Sequence, residues 1–267
     1  MIINYLEDLR LIILDEVDST NTYLKNNFDS LEDGSCVAAL KQTAGRGRVG
    51  RKWLTGDGNN IAFSFKASKL KEPFHGGVLL GLASLLMLRE VCPEGKFFFK
   101  WPNDIYALDL TGTSALKLSG ILSEAVWEKG ALKGVVSGIG ININFSEKEL
   151  ENAGQPAISL SIIKKSKFDV IFLVEKLAKF LKECYIKYDC NFQEVLDLWK
   201  EENRLIGQII EAVTPTGEAH VGVFKDILPD GAMLLEENGV EFRFDCGDIK
   251  LNTKRIDFKQ LEREKKL

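Results

Sequence analysis

Residues 43–53, TAGRGRVGRKW, set Arg46, Arg48, Arg51 and Lys52 among Gly45, Gly47 and Gly50 and close on Trp53. Cations alternating with glycines suit an anion. Guanidinium forks grip carboxylate or phosphate oxygens in pairs, and glycines let backbone N–H groups approach the same oxygens. The segment satisfies G-x-G-x-x-G, but RKWLTGDGNN after it cannot open a helix, and lysines occupy the place of the acidic ribose-binding residue. A dinucleotide fold is therefore excluded. A Walker A loop is excluded too, because Arg51 stands at its lysine position and no Ser or Thr follows. What remains is an anion-gripping loop or a solvated basic turn, with Trp53 either a stacking face for a base or a core anchor.

Three further stretches carry polar groups in unusual places. In KWPND (100–104), Pro102 fixes the backbone at a strand end while Asn103 and Asp104 favour a turn, facing a ligand or closing Asx hydrogen bonds. In KLSGILSE (117–124), Lys117 opens an apolar strand in which Gly120 permits a close approach. In SGIGININ (137–144), Gly138 and Gly140 repeat that device, and Asn142 and Asn144 share one face of the strand. Two amides on a core strand require partners, from a ligand or from a neighbouring loop.

The elements that must position these groups follow from periodicity. LRLIILDEV (9–17) reads as a buried strand and DSTNTYLKNNF (18–28) as a helix started by Ser19 and Thr20. Strands are expected at 35–43, 59–68 and 96–101, and as a pair at 116–128 and 132–145. Residues 74–92 form a long apolar helix; its core, 77–91, is shorter than a membrane span and ends in charge. Helices follow at 168–188 and 192–204, the first with Val174, Leu177, Phe180 and Leu181 on one face. After Arg204 the pattern becomes short alternating runs broken by Pro-Thr-Gly, Pro-Asp-Gly and Asn-Gly, the signature of a small antiparallel barrel. Expected units are 1–205, 206–252 and a charged tail, 253–267.

Composition restricts the function. The chain has 267 residues and a net charge of −4, with a pI of about 5.5, which does not suit a nucleic-acid backbone. No nucleic acid or membrane partner is expected. Five scattered cysteines without a C-x-x-C pair, and two histidines, argue against a structural metal and for buried thiols in a reducing compartment. The opening MIINYLEDLRLIILDE lacks the basic flank of a signal peptide, so a cytoplasmic protein is expected.

Taken in order, DSTN (18–21), GRGRVGRKW (45–53), KWPND with KLSGIL (117–122), and GIGINI (138–143) resemble the biotin protein ligases over essentially the whole chain. The resemblance implies an α+β fold: a mixed central sheet with flanking helices, like class II aminoacyl-tRNA synthetases, followed by an SH3-like barrel. It implies biotin and MgATP as substrates, biotinyl-adenylate as intermediate, and a lysine of a biotin carboxyl carrier domain as acceptor. Monomer and homodimer both stay open. By resemblance, Ser19, Thr20, Asn21, Gln42, Gly45, Arg46, Arg48, Lys117 and Gly120 bind biotin. Arg46, Arg48, Arg51, Trp53, Asn103, Lys117 and Asn142 bind ATP or the adenylate, Trp53 stacking on adenine and Asn142 reading its edge. Lys117, Arg48 and Asp104 are the expected catalytic set, with no protein-built metal site. The loop is expected to close over the adenylate and exclude water. Two departures stand out: segment 105–116 is longer than the usual family turn, which bears on where Lys117 lies, and the chain starts too near the catalytic unit for a DNA-binding helix-turn-helix. Rival readings are a lipoate or octanoate ligase or transferase on the same scaffold, and a non-catalytic nucleotide-binding protein.

Overall fold

The computed structural model describes the backbone of residues 2–6 and residues 9–250, so the expected tail 253–267 lies outside the described residues. Chain order is β1 (Ile2–Leu6), β2 (Leu9–Val17), α1 (Thr20–Asn26), β3 (Cys36–Gln42), β4 (Ile61–Ala67), α2 (Pro73–Val91), β5 (Phe97–Lys100), β6 (Asp104–Leu108), β7 (Ala115–Glu128) and β8 (Ala131–Ile141). Then come α3 (Glu147–Leu150), α4 (Leu160–Lys164), α5 (Val170–Cys190) and α6 (Phe192–Glu202). A second set of strands closes the described chain: β9 (Ile209–Val213), β10 (Ala219–Ile227), β11 (Met233–Glu237), β12 (Val240–Phe244) and β13 (Asp248–Lys250).

The first eight strands form one mixed sheet in the order β1-β2-β3-β4-β8-β7-β6-β5. Only β2 and β3 run parallel, because α1 carries the chain across between them. The remaining pairs are antiparallel. Strand residues alternate between two apolar layers, as a period of two requires. Ile12, Leu14, Val37, Ala39 and Val136 join Leu24 of α1, while Leu11, Ile13, Cys36, Ala38 and Val135 join the larger core under α2 and α5. Both faces are covered, which explains the continuous apolar runs. Twelve of the 19 residues of α2 are buried against this sheet and its neighbouring helices. The helix lies so close that a Cβ at Gly76 would come within 2.1 Å of Ser137 Oγ.

Two expectations change. Residues 105–116 are not one long turn: 104–108 is a full strand between β5 and β7, and only 109–114 turns, closed by the Asp109 carboxylate accepting from Thr113 and Ser114 backbone N–H and from the Thr111 hydroxyl. Cysteines also divide: Cys36, Cys92 and Cys184 are buried, whereas Cys190 and Cys246 are exposed.

The second sheet, ordered β12-β11-β10-β9-β13, is antiparallel throughout. It is fastened to the first by polar contacts: Lys100 pairs with Asp248, and Trp101 Nε1 donates to Gly231 O at 2.9 Å. His75 bridges the same junction: Nε2 must donate to Pro229 O at 3.1 Å, so Nδ1 accepts from the Tyr188 hydroxyl at 3.2 Å. Burial lowers the His75 pKa from its ordinary 6.5, outweighing the raising effect of the Pro229 carbonyl. Below 6.5 the unfolded chain takes up a proton that folded His75 resists, so stability is lost as pH falls from that value toward the lowered folded one. Thermal melts from about pH 7 to about pH 5 are expected to slope less steeply in His75→Gln than in the wild type just below the ordinary imidazole value.

Candidate functional site

A cavity of about 990 Å³ opens where the glycine–arginine loop, the ends of β6, β7 and β8, and the second sheet converge. Ser19, Thr20, Asn21, Gln42, Arg46, Arg48, Arg51, Trp53, Asn103, Asp104, Lys117 and Gly120 all line it. Residues scattered over a hundred positions of chain thus meet in one place. Gly45 and Asn142 do not line it.

At one end lies a linked polar set. Gln42 Oε1 accepts from Thr20 N at 2.9 Å and from Thr20 Oγ1 at 3.2 Å, while its Nε2 donates to Thr55 Oγ1. Ser64 Oγ lies 2.6 Å from both Thr20 Oγ1 and Asn21 Oδ1, and Asn21 Nδ2 donates to Leu122 O and to Glu124. Thr20, Asn21 and Ser64 are buried yet satisfied, and a Cβ at Gly138 would meet Asn21 Oδ1 at 2.2 Å. Glycine is needed there for the amide to lie against β8. Burial would raise the Glu124 pKa, but hydrogen bonds from Lys25 and Asn21, with the charges of Lys25 and Arg46, hold it below the usual carboxylate range.

The loop itself is a small hairpin. Gly47 N donates to Arg51 O and Trp53 N to Gly45 O, and Arg46 bridges Lys52 across it. Gly45 is a structural position, since a Cβ there would stand 2.6 Å from Trp53 O. The loop reaches the sheet through its arginines: Arg46 Nη2 lies 3.0 Å from Glu124 Oε2, and Arg48 Nη1 donates to Asn103 Oδ1 at 3.0 Å. Asn103 in turn donates to Ile121 O, which fixes its amide. Trp53 serves as an anchor and also borders the cavity. Its ring lies on the backbone of β8, where a Cβ at Gly140 would fall 2.0 Å from Nε1, and Gly120 lies beneath its edge.

At the centre, Lys117 Nζ stands 2.8 Å from Asp104 Oδ1, both side chains being 11% exposed. Asp104 Oδ1 is placed for charge pairing and not for a well-aligned hydrogen bond. Lys117 Nζ also sits 5.9 Å from the Trp53 ring centroid. The lysine is held by its backbone, which pairs with Pro156 and Ile158 beside β7. Removing either charge would leave the other nearly buried and unpaired, a costly change.

Asn142 is 5% exposed and its Nδ2 donates to Ile158 O at 3.2 Å, which braces the segment before α4. Asn144 does the same for Phe168, with both N–H and C=O of that residue. The amides find a neighbouring loop. What the sequence did not offer is the opposite wall, built by Val213 at the end of β9, by Thr214 and Pro215 after it, and by Cys246, Gly247 and Asp248 before and at β13. Among the described residues no group of three or more His, Cys, Asp or Glu could hold a metal ion.

The chain has known relatives. The bifunctional ligase/repressor BirA of Salmonella typhimurium is 30% identical over 252 residues, covering 93% of this chain and 76% of that protein, and residues 13–142 match the family model described as Biotin/lipoate A/B protein ligase family. The chain belongs to the biotin/lipoate A/B protein ligase family. The biotin–[acetyl-CoA-carboxylase] ligase of Paracoccus denitrificans is 28% identical over 235 residues, 84% of this chain and 92% of that one. Among solved structures, the biotin protein ligase of Aquifex aeolicus in complex with biotin and ATP is 28% identical, with a TM-score of 0.73 over 90% of this chain and 97% of that chain. The family match spans the polar set, the loop, Asp104 and Lys117, and ends at the point where β8 gives way to Asn142.

Trp53 against Gly140 is the tightest packing in the site, and it yields a prediction. Gly140→Ala is expected to keep the fold but lift Trp53 and loosen the loop, so that trypsin cleaves at Arg46, Arg48 and Arg51 at least about tenfold faster. Gly120→Ala, whose Cβ would meet Trp53 at 3.3 Å, is expected to do much less.

Proposed function

We propose that this protein joins biotin to AMP at the expense of MgATP and then transfers the biotinyl group to a lysine of a biotin carboxyl carrier domain. The observation that carries this reading is one cavity flanked by a hydrogen-bonded polar end and a cationic loop, in a chain whose relatives are named as biotin ligases. A carboxylate does not acylate an amine, because oxide is a poor leaving group. In the first half-reaction a biotin carboxylate oxygen attacks the α-phosphorus of ATP and the bond to pyrophosphate breaks. In the second, the acceptor amine attacks the acyl carbon, the bond to the phosphate oxygen breaks, AMP departs and the nitrogen gives up a proton.

Two anions must be brought together in the first step. Arg46 and Arg48 are assigned to the carboxylate and the phosphate, where each charge-assisted contact is worth about 1.5–3 kcal/mol. Lys117 is assigned to the charge that builds on the phosphoryl and carbonyl oxygens, and Asp104 to holding its ammonium in place. Ser19, Thr20, Asn21 and Gln42 offer hydroxyl and amide groups suited to a ureido ring, and Arg51 and Trp53 to the nucleotide. Magnesium would enter with the nucleotide substrate, and Asp104 and Asp248 are carboxylates on the cavity wall that could face it. The loop would close over the adenylate and shield it from water. We further take residues 1–205 as the catalytic unit, with a sheet like that of class II aminoacyl-tRNA synthetases, and 206–252 as an SH3-like barrel. A cytoplasmic setting, where ATP is available, accords with this chemistry.

Lipoate or octanoate is the second reading, because the family description names lipoate beside biotin. Purified protein given ATP, magnesium and either acid is expected to exchange pyrophosphate with biotin and not with lipoate; the reverse would overturn the substrate, and binding without exchange would overturn the ligase. Arg48→Ala is expected to release the adenylate about tenfold faster, whereas Lys117→Ala should slow its formation by at least about a hundredfold, both read by single-turnover kinetics.

A further inference from the structure

Glu124 is absent from the cavity wall, yet it touches two of the residues that form it. It sits on β7 two positions beyond Leu122, which lines the cavity. One oxygen, Oε2, accepts from Asn21 Nδ2 at 2.9 Å and pairs with Arg46 Nη2 at 3.0 Å; the other, Oε1, accepts from Lys25 Nζ at 2.7 Å. A single carboxylate therefore ties helix α1 and the glycine–arginine loop to the same strand. The Arg46 guanidinium bonds to Glu124 and to Thr22 Oγ1 both use Nη2. Among the described residues this leaves the donors on Nε and Nη1 for a ligand's oxygens. The Asn21 amide is equally fixed, its Nδ2 given to Leu122 O and Glu124 and its Oδ1 taken by Ser64.

We propose that Glu124 is a positioning residue, which holds the Arg46 guanidinium at the cavity edge so that it meets the acid group of the ligand, a carboxylate or acyl phosphate. The proposal deepens the ligase reading and rests on it. Lys25 is the third member: its ammonium balances Glu124, so a second anion can approach Arg46 without leaving the carboxylate uncompensated. Glu124→Gln keeps an oxygen for Asn21 while removing the charge that orients Arg46. Its effect should fall on the acid end of the ligand and spare the ring end.

The test is a titration of the full chain, as wild type, Glu124→Gln, Arg46→Ala and the double variant, with biotin and with biotinol, the alcohol that lacks the acid group. Biotin affinity is expected to fall about fivefold in Glu124→Gln, the upper range for a partly exposed pair. Biotinol affinity should change less than about twofold, and in the Arg46→Ala background Glu124→Gln should cost biotin less than about twofold. Equal losses for both ligands, or an undiminished loss without Arg46, would mark a purely structural residue and overturn the proposal. Should Glu124→Gln not fold cooperatively, Glu124→Asp, which keeps the charge but shortens the reach, enters the same cycle with a smaller expected loss. A wild type that binds lipoate and not biotin would sink the biotin reading instead, a result distinct from any of these.

Discussion

Gly120 and Gly140 face each other across β7 and β8, and neither offers a side chain. That bare patch of sheet is the constraint on which the site depends. Trp53 lies on it, with no space for even one methyl group at Gly140. Because Trp53 ends the glycine–arginine loop, its seat sets how far the loop can reach over the cavity. Gly120 also brings Lys117 and Asp104 within van der Waals range of the same patch, at 3.4 Å from where its Cβ would be. The cations of the loop and the central lysine are thus gathered around one aromatic ring and two glycines.

The electrostatics follow from this gathering. The molecule carries a net charge of −4, yet Arg46, Arg48, Arg51, Lys52 and Lys117 converge on one cavity. Such a concentration repels itself unless it is compensated locally. Glu124 meets Arg46, Asp104 meets Lys117, and the neutral oxygen of Asn103 meets Arg48. Two of the three compensators are charged and one is not. Of these three, Arg48 is the cation least neutralised by the protein.

Much of the fold was legible because burial on both faces leaves unbroken apolar runs and helices keep their period. LRLIILDEV is β2 to the residue, and the face of Val174, Leu177 and Leu181 is buried as its spacing demanded. The site was legible where chemistry is unusual, in glycines among arginines and polar groups at a strand end. Illegible parts share a physical reason. DIYAL (104–108) is too short for its alternation to mark a strand, so the turn after KWPND looked longer than it is. Asn142 and Asn144 need partners because they are polar groups in an apolar strand, and sequence does not say that Ile158 and Phe168 supply them. Thr214, Pro215 and Gly247 reach the cavity only through the seating of the second sheet, a tertiary event with no local signature.

That seating gives KWPND two functions in five residues. Lys100 and Trp101 turn toward the second sheet, where they meet Asp248 and Gly231, while Asn103 and Asp104 turn toward Arg48 and Lys117. Lys100 is nearly buried, so its charge is costly to strand, and Asp248 itself forms part of the cavity wall. The pair therefore fixes the second sheet at one particular distance from the reacting centre. Asp248 opens β13, β13 pairs with β9, and Val213 at the end of β9 is followed directly by Thr214 and Pro215 on the wall. A shift of the second sheet would move this wall and pull on the strand end that holds Asn103 and Asp104. The two sheets are coupled through the motif that also orders the site, so the second sheet is a part of the cavity and not an appendage to it.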